Sequence, residues 1–381
     1  MSKFGSSIRY LLVDLINIYN KYGKEEFENR RNIYLEKEKE NKDSYFYKLT
    51  PIKMEKLISF ISENIDSLTC ENEMKMECYF NEHEPAFIDD KVNIKLFNFS
   101  YADKIYNFAQ ENGLDMRIHT IVWYRHVPKQ LIEYLDGRTI EEKRKLTLDF
   151  IRTYMQCLAE RYPNCYCVDV INEMAADPDE LRFLKEENEP LYKYDDEGIR
   201  IDFWYEVLGK YYYIEIFKMA RDIFGSSMKL FYNDNNEGNK EKQQIYLKIF
   251  ENIKKYEAEN GIKILDGFGM QSHYWGDETE TKEYMEELYS FYTNLGLDIQ
   301  ITEFDVSNHS NKEQQLSIFN NFIDVAKKYD IKAFTMWALN DGLSWLSEYS
   351  PVLVDSNYDI KDFAQEYIEH FSNKRKNAKR K

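Results

Sequence analysis

Short apolar runs alternate with amphipathic segments along most of the chain. The runs at 44–49, 65–70, 116–123, 166–171, 229–233, 267–273, 297–302 and 331–338 read as strands. Between them, segments at 101–112, 147–161, 205–224, 240–260, 282–295 and 313–329 carry apolar residues at helical spacing. Short apolar strands separated by helices predict a parallel sheet covered on its faces. Eight strands favour a closed (β/α)8 TIM barrel, an α/β fold of one domain, over an open doubly wound sheet. No glycine-rich phosphate turn follows the first strand, which further weakens a dinucleotide-binding reading.

The amino-terminal region fits this alternation less well. Residues 8–22 read as an amphipathic helix and 25–42 as a charge-dense helical stretch. The expected organisation is a helical extension over 1–43 packed on a catalytic barrel over 44–372, with a basic, frayed tail over 373–381. A first strand at 4–8 is the alternative. The 7 Pro and 14 Gly are scattered, and no linker-like tract divides the chain.

Composition narrows the function classes. A net charge of −17 argues against nucleic acid or an anionic membrane surface as partner, since either would be repelled over most of the molecule. The five cysteines show neither a paired metal spacing nor a disulfide framework, so reduced thiols and a reducing compartment are expected. No apolar run reaches signal or membrane-spanning length. The chain therefore reads as cytoplasmic, or as secreted if a leader is removed. Aromatic residues make up 16%, which fits either sugar stacking or a tyrosine-rich core. Nothing in the sequence indicates an oligomeric state.

Chemistry gathers at the strand ends. Glu71, Asn72 and Lys75 follow the second strand, His119 and Trp123 close the third, and Asn172 and Glu173 the fourth. Asn233 and Asp234 end the fifth, Gln271 and His273 the sixth, and Glu303 and Asp305 the seventh. Trp337 lies in the eighth, with Trp345 beyond. This is the rim where barrel enzymes hold their active sites. Glu173 and Glu303 both follow apolar strands, where burial and mutual charge would drive their pKa values apart. Such a pair suits glycosidic bond cleavage, one carboxyl protonating the leaving oxygen and the other attacking the anomeric carbon. A metal hydrolase would need a His-x-His pair at the first strand end, and none of the six histidines is so spaced. A barrel that binds sugar without turnover is the non-enzyme alternative.

Seven segments resemble glycoside hydrolase family 10, the endo-β-1,4-xylanases. They are SLTCENEMK at 67–75, RIHTIVW at 117–123, DVINE at 169–173, FYND at 231–234, GFGMQSHY at 267–274, ITEFD at 301–305 and FTMWALND at 334–341. The resemblance implies a retaining xylanase acting on xylan or xylo-oligosaccharides without metal or organic cofactor, or a family member acting on another β-glycoside. It implies Glu173 as acid/base, Glu303 as nucleophile, and Asn172 on the 2-hydroxyl at the cleavage point. His273 would bond Glu303 with Asp305 behind it, and Asn233 would support them. Gln271, His119, Trp123, Trp337 and Trp345 would wall the site, while Glu71, Asn72 and Lys75 grip the next sugar on the non-reducing side.

The sequence departs from the family pattern in several places. Ile118 stands for Gly and Val168 for Trp. Tyr124, Arg125 and His126 follow Trp123 where His, a small residue and Gln are usual, and Asn235 replaces a Tyr. Arg125 would meet an acidic sugar decoration or form an ion pair. The lack of a leader and of an appended carbohydrate-binding module points to short oligomers inside the cell.

Overall fold

The computed structural model describes residues 2–37, 49–177, 193–276, 279–308 and 311–374. Eight parallel strands close into a barrel: β1 (Lys3–Ile8), β2 (Ser67–Cys70), β3 (Asp115–Ile118), β4 (Cys167–Asn172), β5 (Lys229–Asp234), β6 (Gly267–Met270), β7 (Asp298–Val306) and β8 (Ala333–Met336). Each pairs in parallel with the next, and β8 pairs with β1 to close the ring. The (β/α)8 expectation holds.

The first strand is the exception. β1 lies at Lys3–Ile8, the alternative position, and not at 44–49, of which 44–48 fall outside the described residues. Residues 3–8 therefore belong to the barrel wall and not to an extension packed on it. The physical reason is β1's small side chains. A Cβ on Gly5 would meet Ser67 Oγ at 2.6 Å and Thr335 Oγ1 at 3.1 Å, so crowding selects Gly where hydrophobic patterning would expect bulk. The helical stretches after it form Tyr10–Lys37, broken at Gly23 (φ 79°), followed by Pro51–Asn64.

Other boundaries moved for local reasons. The run at 205–224 splits at Gly209 (φ 88°) into Phe203–Leu208 and Tyr212–Phe224. Helix Ile140–Arg161 begins two turns early because Thr139 and Glu142 form a capping box over a polar first turn. The runs at 116–123 and 267–273 each break, leaving Val122–Trp123 and His273–Tyr274 as separate short strands at the rim. Of the expected tail, Asn373 and Lys374 donate backbone N–H groups to Asp66, and 375–381 fall outside the described residues.

Aromatic residues pack the helices onto the barrel. Tyr154, Tyr212, Tyr246, Tyr292 and Tyr367 are fully buried, and the Phe322 and Tyr367 rings stack at 5.6 Å. Much of the aromatic excess thus serves the core. All five cysteines are unpaired, and among the described residues no helix is long and apolar enough to cross a membrane.

Inside the barrel, Arg117 of β3 forms a bidentate pair with Asp169 of β4 and donates to Gln300 of β7 at 2.8 Å. Gly269 leaves room for it, since a Cβ there would meet Arg117 Nη2 at 3.1 Å, and Gly267 leaves room for the Phe231 ring beside it. A Cβ on Gly267 would meet Phe231 at 2.2 Å, and one on Gly269 would meet Asn233 Oδ1 at 2.3 Å. The guanidinium lies over the Phe231 ring at 4.7 Å. A buried charge is tolerated here because every face of it has a partner.

Candidate active site

A cavity of about 460 Å3 opens at the carboxyl-terminal rim of the barrel. It brings together Lys75, His119, Trp123, Asn172, Glu173, Gln271, His273, Glu303, Trp337 and Trp345. Asn233 and Asp305 are fully buried behind this surface, as supporting residues should be. Glu71 and Asn72 do not line the cavity. Asn72 accepts from Lys75 Nζ at 3.1 Å, and both oxygens of Glu71 are held by Arg9, just after β1.

Glu303 sits inside β7, which runs on to Val306, so the carboxylate is anchored in a strand and not on a loop. Its Oε1 accepts from Asn233 Nδ2 at 2.8 Å, and His119 Nε2 stands 3.9 Å away. Its Oε2 accepts from His273 Nε2 at 3.3 Å. Each histidine is backed by a carboxylate: His273 Nδ1 donates to Asp305 at 2.7 Å and His119 Nδ1 to Asp169 at 3.0 Å. A carboxylate only accepts, so both rings carry hydrogen on Nδ1. Trp345 Nε1 donates to the other oxygen of Asp305 at 2.8 Å.

The charges follow from this arrangement. Burial pushes Glu303 up, but His119, His273 and Lys75 outweigh it and hold the carboxyl at about 2. Burial lowers His273, yet Asp305 and then Glu303 drive it well above its usual value, so the ring is an imidazolium. Glu303 is therefore an anion fixed against a cation.

Glu173 has different neighbours. Trp123 Nε1 donates to its Oε2 at 2.8 Å, while Gln271 Nε2 at 2.8 Å and Asn172 Nδ2 at 3.1 Å donate to its Oε1. All three donors are neutral. The residue takes a positive φ of 55°, and its backbone N–H donates to Asn233 O at 2.9 Å, which turns the chain off β4 into the cavity. Asn233 also bonds Asn172 at 2.8 Å, so amides alone bridge the surroundings of the two glutamates. Lys75 Nζ stands over the Trp123 ring at 4.9 Å and the Trp337 ring at 5.9 Å.

Of the departures, Arg125 and Asn235 do line the cavity. His126 does not. Its ring packs on Trp123 at 4.8 Å and its Nδ1 lies 3.4 Å from Cys78 Sγ; burial lowers its pKa to about 4, so the imidazole is neutral. Sequence reasoning missed Asp177, Asn236 and Trp275 in the cavity wall, Arg117 and Asp169 behind His119, and Arg9 beside Glu71. Asp169 carried a legible signal, a lone acid within an apolar strand. Trp275 carried one too, two residues beyond His273.

The model of "Glycosyl hydrolase family 10" matches residues 18–369. Endo-1,4-beta-xylanase A of Thermotoga neapolitana is 31% identical over 326 residues, covering 81% of this chain and 28% of that protein. Its counterpart in Thermotoga maritima is 30% identical, covering 80% and 27% respectively. The chain thus spans little more than a quarter of the length of these relatives. Among solved structures, the xylanase 10B modules of Clostridium thermocellum complexed with xylohexaose superpose with a TM-score of 0.71 at 22% identity, covering 97% of this chain and 65% of that one. With a family match across nearly the whole barrel, the chain belongs to glycosyl hydrolase family 10.

Proposed function

We propose that the chain is a retaining endo-1,4-β-xylanase acting on xylan or xylo-oligosaccharides, with Glu303 as nucleophile and Glu173 as acid/base. The observation that carries this reading is the unequal setting of two carboxylates facing one cavity. Glu303 is held ionised beside an imidazolium, whereas Glu173 is bonded by neutral donors only. In the first step Glu303 attacks the anomeric carbon while Glu173 gives a proton to the departing oxygen. In the second, Glu173 takes a proton from water, which displaces Glu303. Net configuration is retained. Asn172, bonded to both Asn233 and Glu173, stands ready to hold the 2-hydroxyl.

Tryptophan faces and polar edges suit a pyranose ring. Four of the five tryptophans, Trp123, Trp275, Trp337 and Trp345, line the cavity, and amides, Lys75 and imidazoles supply the polar contacts. The named relatives are xylanases, and the xylohexaose complex belongs to one of the structural neighbours. The decisive experiment follows xylopentaose hydrolysis by proton NMR. New reducing ends should emerge as the β-anomer before mutarotation. An initial α-anomer would mean inversion, and failure to cleave xylan or any xylo-oligosaccharide would refute the assignment.

A further inference from the structure

The turn that follows β6 serves both glutamates. In a regular strand, residues two apart point the same way. Here Gln271 donates to Oε1 of Glu173 at 2.8 Å, while His273 faces Oε2 of Glu303 at 3.3 Å. Ser272 stands between them with a φ of 57°, a left-handed conformation that a serine keeps only where its surroundings impose it. The backbone on either side is tied to the barrel. Gln271 N–H donates to Asp234 O at 2.9 Å, Glu303 N–H donates to Gln271 O at 3.1 Å, and His273 pairs with Asp305 beyond the turn.

Ser272 is 1% exposed, and its hydroxyl donates at 2.7 Å to Oε1 of Glu237, itself 4% exposed. Glu237 does not line the cavity. Its place is set by neighbouring elements. Its carbonyl accepts from Gln243 Nε2 at 3.0 Å and Tyr292 Oη at 2.8 Å. Gly238 after it admits no side chain, since a Cβ there would meet Tyr284 Oη at 1.4 Å. Burial pushes the Glu237 carboxyl up, and the Ser272 hydroxyl is the strongest of the groups that hold it down. The same hydroxyl also bonds Tyr289. A buried carboxyl needs a partner, and the partner here is the residue whose backbone sets where Gln271 and His273 point.

We propose that Glu237 is a positioning residue for the reaction: its bond to Ser272 holds the turn that aims Gln271 at Glu173 and His273 at Glu303. One buried contact then serves the acid/base and the nucleophile together. The inference rests on the xylanase reading above and adds to it a residue that never meets the sugar.

The test is a double-variant cycle read in activity. Wild type, Glu237→Ala, Ser272→Ala, the double variant and Glu237→Gln are assayed on a dinitrophenyl β-xylobioside and on xylotetraose, under conditions where urea unfolding shows each chain folded. Bond breaking in the aryl glycoside needs only Glu303, whereas xylotetraose needs both glutamates. Each alanine variant should lose about tenfold in kcat/KM on the aryl glycoside and about 10^2-fold on xylotetraose, through kcat, with KM within about twofold. The double variant should lose no more than the worse single variant, because both changes break one contact. Glu237→Gln keeps an acceptor for the hydroxyl and should stay within about threefold of wild type.

Losses that multiply in the double variant would mean that Glu237 does not act through Ser272. Glu237→Gln as slow as Glu237→Ala would mean that its charge matters and the bond does not. Wild-type rates in either alanine variant would leave the contact to the scaffold. Each of these results overturns the proposal. Should Glu237→Ala fail to fold, Ser272→Ala and Glu237→Gln decide it by the same criteria. A wild-type chain that cleaves neither substrate overturns the parent reading instead, before any variant is compared.

Discussion

The Nε2 of His273 lies 3.3 Å from Oε2 of Glu303, and the same ring gives its other proton to Asp305 at 2.7 Å. One imidazolium thus sits between two carboxylates, the first facing the cavity and the second fully buried. The pairing keeps Glu303 ionised despite its burial. It also fixes the direction in which the anion points, which a nucleophile requires before it can attack.

Replacing Glu303 removes that anion. Glu303→Gln should lower kcat on an aryl β-xylobioside by on the order of 10^4 or more, while the fold, judged by thermal unfolding, persists. In Glu303→Ala, azide should restore turnover and give the α-glycosyl azide, because the small anion enters from the vacated face. Near-wild-type turnover in Glu303→Gln would end its assignment as nucleophile.

Glu173 acts on the leaving group, so the cost of losing it should depend on that group. Glu173→Ala is expected to cost about 10^2- to 10^4-fold on xylo-oligosaccharides, whose leaving alkoxide needs a proton. On a dinitrophenyl β-xylobioside the bond-breaking step needs no proton and should be nearly unaffected. Losses of equal size on both substrates would contradict the role.

The acid limb of activity should follow His273. Glu303 is held at about 2, below its ordinary 4.5. Its contribution to stability is therefore complete above about pH 4.5 and is lost as pH falls through about 2. His273 is raised above 6.5, so its contribution is complete below that value and disappears as pH rises through the elevated pKa. Asp305→Asn removes the strongest support for the imidazolium. The new amide must also turn its NH2 towards either His273 or Trp345, each of which needs an acceptor. The acid limb of kcat/KM should move up by on the order of one unit, and resistance to urea at pH 6 should fall. A variant whose profile stays as flat as the wild type's down to about pH 2.5 would show that His119 and Lys75 alone set the charge of Glu303.

How far the sequence could be read depended on which force placed each residue. β4 and β7 showed plainly, since a buried parallel strand is written in apolar residues and their acids interrupt that pattern. β1 did not, because its Gly5-Ser6-Ser7 is chosen for close approach inside the barrel and hydrophobic patterning is blind to crowding. Lys75, His119 and Gln271 were legible as polar residues at strand ends. Arg9 was not, since a salt bridge to Glu71 across 62 positions exists only in three dimensions. Glu71 shows the same limit, as its grip on a sugar was expected where Arg9 now occupies both its oxygens.

Arg117 gives the sharpest separation of scaffold from surface. It does not line the cavity and is 1% exposed, yet it holds Asp169, which orients His119 towards Glu303. Burial opposes its charge, but Asp169 more than offsets this and raises the guanidinium well above its normal value. Arg117→Met would take the guanidinium partner from the buried Asp169 carboxylate, leaving only His119 beside it, and vacate the bond to Gln300. Loss of one member of a buried pair costs about 3–5 kcal/mol, so urea unfolding should show a drop of that size. Arg117→Met with Asp169→Asn removes the stranded charge and should recover part of that stability. It should not recover activity, because the amide no longer enforces the Nδ1 hydrogen of His119. If stability and kcat returned together in the double variant, Asp169 would matter to Glu303 only through packing, and the line of contacts from the barrel interior to the nucleophile would carry no electrostatic role.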